Sequence, residues 1–239
     1  MEEVLITNAM LVMERDGVNM SKIVFTDLET GGLFYYPRVI NGSLRPMNPI
    51  IQIGCAVVDC DTLDIVDTLE MKVAFNEAEG EQSAYAINGY KKENWVDAPS
   101  KVVAKARLTE FFKKHATVTK ISKRTNNPYT VALLGGQNIA AFDMPFLRNW
   151  YEPDFFPVDY HTVDTMALAH IYSIVTGTRL DSLGQEALSK HFGVAFDGKA
   201  HDALADVKVT AGIYKAMMMD LKGRMNNTAD LSGRVTPHD

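Results

Sequence analysis

Hydrophobic positions change rhythm along this chain. The stretch KIVFTDLE (22–29) alternates, with Ile23, Phe25, Asp27 and Glu29 on one face and Val24, Thr26 and Leu28 on the other. Both faces are apolar until the end, which predicts a central strand that finishes in two carboxylates. PIIQIGCAVVDC (49–60) and DIVDTLEMKVAF (64–75) are β-rich runs on either side of a short polar turn, a hairpin added to that first strand. Helical patterns follow at SAYAINGYKKENW (83–95) and SKVVAKARLTEFFKKH (100–115), the second with Ser100 as N-cap after Pro99. From TVALLGG (130–136) onward, short strands alternate with helices. VDYHTVD (158–164) is a strand, and helices follow around TMALAHIYSIV (165–175), DSLGQEALSKHF (181–192) and DALADVKVTAGIYKAMMM (202–219). Antiparallel strands first and β/α units later predict an α/β architecture, a mixed sheet with helices on its faces.

Two stretches are longer than a connection needs: FYYPRVINGSLRPMN (34–48), and KISKRTNNP (120–128), which is rich in basic residues. No internal repeat is evident. The expected organisation is a single domain over 1–221, in which 1–21 extend ahead of the first strand, followed by a polar, poorly ordered tail at 222–239.

At 239 residues and 46% apolar composition the chain can bury a large core. It has no apolar run long enough to span a membrane, and MEEVLITNAM lacks the basic region and apolar core of a secretory signal, so a cytoplasmic protein is expected. Cys55 and Cys60 are five residues apart in a strand-like run, on opposite faces, which predicts small packing residues and no disulfide or metal pair. The net charge of −6 argues against a protein that grips nucleic acid by bulk electrostatics. It does not exclude a nucleic-acid enzyme, because bound cations supply positive charge where phosphate approaches.

Residues two apart on a strand point the same way, so Asp27 and Glu29 present adjacent carboxylates. With 30 acids in the chain, chance alone yields about four such pairs, so the spacing by itself is weak. Their position on the face of a buried strand demands a compensating partner, either a structural ion pair or a metal. Asp143 precedes Met144-Pro145 and a helix-like run, the pattern of an N-cap. His201 and Asp206 are five residues apart, which in one continuous helix would leave them about 140° apart. If both serve one centre, His201 must lie on a loop before the helix, and Gly198 makes such a loop plausible.

The ordered set DLET (27–30), QNIAAFD (137–143) and HDALAD (201–206), with IIQIG (50–54) and DTMALA (164–169) between, resembles the DEDD exonucleases of the histidine subtype over most of residues 22 to 220. That family includes the proofreading subunit of bacterial replicative polymerase, ribonuclease T and oligoribonuclease. The resemblance implies a ribonuclease-H-like mixed five-stranded sheet, the first three strands antiparallel, with helices on both faces. It also implies a 3′→5′ exonuclease that releases nucleoside monophosphates by two-metal-ion hydrolysis. Carried over, Asp27, Glu29, Asp143 and Asp206 are the metal-binding acids and His201 the general base. Hard oxygen donors suit two divalent cations, Mg²⁺ or Mn²⁺. Leu28, Thr30, Gly31, Asn138 and Phe142 are the expected substrate contacts, with Phe142 equally readable as a core residue. The sequence departs from the family where Gly31 replaces a common Thr or Ser, Gln137 a common His, and Gln52 a common Glu.

Single-stranded DNA or RNA 3′ ends are the expected partners, DNA preferred, together with a polymerase or a second copy of the chain. The long insert at 34–48, with Phe34, Tyr35, Tyr36, Arg38 and Arg45, is positioned to stack and steer a strand. Three rival readings remain: an exoribonuclease on the same site, a non-catalytic nucleic-acid or polymerase-binding module, and a phosphohydrolase that uses His201-Asp202 as paired ligands. The last needs an all-helical fold with further histidines at helical spacing, which strands at the start of the chain disfavour.

Overall fold

The computed structural model describes residues 21–195 and 201–232. Residues 1–20, Gly198 and 233–239, which carry the predicted extension, loop and end of the tail, lie outside these described residues. Strand β1 (Lys22–Thr30) occupies the middle of the sheet. On one side it pairs antiparallel with β4 (Ile50–Asp59), Asp27 opposite Gly54 and Glu29 opposite Gln52. β4 in turn pairs antiparallel with β5 (Ile65–Lys72). On its other side β1 pairs parallel with β7 (Pro128–Gly136), which pairs parallel with β8 (Val158–Asp164). These are the five expected strands. A sixth, β6 (Val118–Ile121), pairs antiparallel with the start of β7 and runs into the stretch at 120–128 read as a loop. Four residues are too short for alternation to register, and its turn is closed by Ser122 and by Asn126 at positive φ.

Alternation along β1 sorts its side chains onto two helical layers. Val24 and Leu28 join the core formed with α2 (Lys101–Lys114) and α3 (Asp143–Tyr151), which contribute Leu108, Phe112, Phe146 and Trp150. Ile23 and Phe25 point the other way, into a core with Val207, Ala211 and Tyr214 of α6 (Ala203–Ser232). The long α6 also packs against α4 (Thr165–Thr176) and α5 (Gln185–Phe192). Helices therefore cover both faces, as a parallel-centred sheet requires. Ser100 caps α2 by accepting from the Val103 amide, and Cys55 and Cys60 are free.

Three local expectations change. The pattern at 83–95 is not one helix: α1 (Gln82–Ile87) stops at Asn88-Gly89, where Gly89 adopts positive φ, and a 3₁₀ turn covers Lys92–Trp95. The 34–48 insert is a hairpin of β2 (Arg38–Ile40) and β3 (Ser43–Arg45) turning at Asn41-Gly42, both at positive φ. Its aromatic and basic residues are not all free to stack on a strand. Tyr35 packs on Phe146, and Arg38 lies over Phe34 while pairing with Glu81 at 2.7 Å. Finally, α6 stays helical past Lys222 to Ser232, helped by the Asp220–Arg224 pair one turn apart.

Candidate active site

The sheet places the C-terminal end of β1 beside the N-termini of α3 and α6. Asp27 and Glu29 continue the α6-facing side of β1, beyond Phe25. Gly54, the partner of Asp27 on β4, lets α6 come close: a Cβ there would overlap the backbone of Ala203 and Leu204. Asp206 follows in the first turn of α6, where the helix end favours negative charge. His201 sits before the helix at φ 63°, off the helical path, and its amide donates to Asp206 Oδ2 at 2.9 Å. Because His201 has left the helix, its side chain and that of Asp206 can meet. One ligand atom each from Glu29, His201 and Asp206 lie within 4.8 Å of one another.

Asp143 does not act as the N-cap its sequence context suggests. It is the first residue of α3, and its Oδ1 accepts the Leu28 amide of β1 at 3.0 Å. A buried polar group that bridges two elements in this way fixes α3 against β1 between Asp27 and Glu29. All four acids and His201 line one cleft of about 360 Å³.

The carboxylates are electrostatically strained without a cation. Burial, then Asp143, Glu29, Asp206 and Asp202, hold Asp27 well above the usual carboxylate range. Burial, with Asp206 and Asp202, pushes Glu29 up to about 7. Asp143 rises to about 8 through burial, against the lowering effect of two backbone amides. Asp206 is also raised, by burial first, although the His201 amide pulls the other way. Converging oxygen donors that resist ionisation in isolation fit a hard divalent cation, whose charge repays their desolvation.

Each acid's folded value lies above its unfolded one, so the folded state holds protons that the unfolded chain has released. Metal-free protein should therefore lose stability as pH rises from 6.5 to 8.5, on the order of 3 kcal/mol or about 5–10 °C in Tm. Mg²⁺ or Mn²⁺ should remove most of that fall. Melting curves in EDTA and in Mg²⁺ at the two pH values check it, and a Tm that is flat in EDTA would contradict the charge cluster.

The expected substrate contacts divide. Leu28, Thr30, Asn138 and Phe142 line the cleft, as does Gly32. Asn138, at φ 57°, donates its amide to Asp164 Oδ1. Phe142 serves both readings, since it also packs against Phe146 with ring centroids 5.0 Å apart. Gly31 is not among the cleft-lining residues; a Cβ there would press on Pro49 and Gly80, so close packing accounts for this glycine. Other wall residues carried no sequence signal: Leu33, Ala84, Ile87, Asn88 and Gln185. Asn88 Nδ2 donates to the Thr30 carbonyl, and Gln185 Nε2 to the Asp206 carbonyl. Gln137 also faces the cleft and donates to the Leu183 carbonyl at 2.6 Å. Gln52 donates to Glu70 and to Asp202, where a Glu would repel both.

Gly54→Ala should displace the start of α6, with a stability loss of about 1–3 kcal/mol and a matching drop in whatever rate depends on Asp206. A thermal melt paired with an activity assay tests this; wild-type values in both would deny the close approach.

A mixed sheet whose central strand ends in acids, closed by an acid on each of two helices and a histidine ahead of one, is a ribonuclease-H-like nuclease layout. A profile of the exonuclease family RNase_T matches residues 24–214, and the chain belongs to that family. Among solved structures, E. coli exonuclease I in complex with a dA16 oligonucleotide is similar, at TM-score 0.62 and 19% identity, over 83% of this chain and 41% of that one. The nuclease domain of 3′hExo, a DEDDh family member bound to rAMP, gives 0.56 and 16%, over 84% and 92%. A 3′-exonuclease that recognises the histone mRNA stem-loop gives 0.57 and 15%, over 84% and 64%. The chain thus spans less than half the length of exonuclease I. No curated protein matches. Among the described residues no helix is long and apolar enough to cross a membrane.

Proposed function

We propose that this protein hydrolyses single-stranded nucleic acid from its 3′ end, releasing nucleoside monophosphates, with DNA as the preferred substrate. The observation that carries this reading is the meeting of Glu29, His201 and Asp206 within 4.8 Å in a cleft also lined by Asp27 and Asp143. Asp27, Glu29, Asp143 and Asp206 would hold two divalent cations, Mg²⁺ or Mn²⁺. When bound, these supply the charge that polarises the phosphate and makes water nucleophilic near neutral pH.

The chain's own residues do the rest. A single unpaired nucleotide would enter the cleft, with Leu28 and Phe142 of its wall against the base and Thr30 and Gly32 beside the sugar. His201 accepts the proton of the attacking water. The water oxygen bonds to phosphorus, the bond to the preceding nucleotide's 3′ oxygen breaks, and that oxygen takes up a proton. Exposure of His201 at the rim lets the proton pass to solvent after each cycle.

DNA preference is supported by extra loops beyond a minimal oligonucleotide-degrading enzyme and by similarity to exonuclease I. Similarity to 3′hExo supports RNA on the same site. Digestion of matched 5′-labelled single-stranded DNA, RNA and mismatched duplex in Mg²⁺ or Mn²⁺ tests the proposal. A ladder shortening from the 3′ end with mononucleotide product is expected. Internal cuts, or no shortening of any substrate, would overturn it.

A further inference from the structure

The basic residues of this acidic chain are unevenly spread. Residues 111–151 hold six Lys or Arg against one acid, Asp143, in a chain of net charge −6. The turn between β6 and β7 exposes Lys123 and Arg124, and neither makes an ion pair among the described residues. Beside them stand exposed aromatic rings: Tyr129 at 40%, Phe155 at 64% and Tyr160 at 68%.

These groups form a continuous track. Tyr129 meets Phe155 edge-on, with centroids 6.3 Å apart. Lys120, the register partner of Tyr129, sets its ammonium 5.0 Å over the Tyr160 ring. The Tyr160 carbonyl accepts from Arg148 Nη2 at 3.5 Å. Of the nearby acids, Glu152 is exposed, whereas two others are already engaged. Asp159 is buried and bonded to Lys120 and His161, and Asp154 is paired with Lys105.

From this we infer that the β6–β7–β8 edge is a second binding surface for single-stranded nucleic acid, holding nucleotides 5′ of the end in the cleft. The inference rests on the exonuclease reading and deepens it. Exposed rings stack on bases of any sequence, and the unpaired Lys123 and Arg124 of the neighbouring turn neutralise phosphates. The track leads to the site. β8 ends at Asp164, which holds the cleft residue Asn138, and Tyr160 lies four residues back, about 13 Å along the strand. Tyr129 is seven residues before Gly136 on β7, about 23 Å from the cleft end. Arg148 stands between, on the helix that begins with Asp143. A dinucleotide extends one nucleotide past the cleft and falls short of Tyr160, whereas twelve nucleotides reach about 40 Å even at 3.4 Å each.

The test compares Tyr160→Ala, Phe155→Ala and the double variant Lys123→Gln/Arg124→Gln on a single-stranded 12-mer and on a dinucleotide. Each aromatic change should raise KM for the 12-mer about tenfold, leaving kcat and dinucleotide kinetics unchanged. The double variant should flatten the log–log salt dependence of 12-mer binding by about 1.4. An unchanged KM on the 12-mer overturns the inference. So does a change in sedimentation without one, which would mark a contact between copies of the chain. If wild type cleaves neither substrate, the exonuclease reading itself fails. Anisotropy of a labelled 12-mer in EDTA then still judges the surface, and equal affinity for wild type and variants rejects it.

Discussion

Replacing Asp27 by Asn should lower hydrolysis by at least about 10³-fold and, in the same sample, raise the melting temperature of the metal-free protein. The two effects have one cause. Asp27 is buried on β1 among Asp143, Glu29, Asp206 and Asp202, which together with burial hold its carboxyl far above the ordinary range. Asn keeps the shape and the β1–β4 pairing opposite Gly54. It removes a group that, when no cation is bound, must either take up a proton on folding or carry its charge among other acids. Folding is relieved, while the proposed cation site loses one of its four carboxylates. A routine core substitution destabilises and slows together, so the opposite signs are diagnostic. Rates in Mg²⁺ and melts in EDTA measure both. An unaltered rate removes Asp27 from the site, and a lower melting temperature in EDTA contradicts the charge cluster.

How much of this could be read from the chain follows from what each signal depends on. Strand β1 was legible because alternation is local: Ile23 and Phe25 announced the face on which Asp27 and Glu29 lie. The exclusion of His201 from the helix was also legible, since helical geometry forbids the alternative, and its positive φ bears that out. Asp143 was half legible. Its position at the start of α3 was correct, but the partner of its side chain, the Leu28 amide, lies 115 residues away, and no local pattern reports that. The cleft wall from Ala84 to Asn88 was invisible for the same reason: its residues carry no special chemistry and acquire a role only by docking beside Thr30. The β2–β3 hairpin was a different kind of miss. Asn41-Gly42 after Val39-Ile40 is a strong local turn signal, so this hairpin is legible in the sequence.

Replacing His201 by Asn should cost about 10²–10⁴-fold in rate and leave divalent-cation affinity unchanged, the pattern of a lost general base. Asn is the informative substitution here. The residue must adopt φ 63°, which Asn tolerates better than Ala, so the backbone need not move. The bond that ties this position to the site runs from the main-chain amide to Asp206 Oδ2 and survives any side-chain change. What disappears is a group able to take a proton. The prediction separates two roles that the geometry brings close together. His201 is near enough to Glu29 and Asp206 to serve as a ligand, and if it does, Asn should weaken cation binding and excess Mn²⁺ should restore the rate. If it is the base, saturating cation restores nothing, because the deficit lies in proton transfer. Calorimetric titration with Mn²⁺ beside single-turnover rates decides between them, and equal affinity with an unchanged rate would exclude both roles.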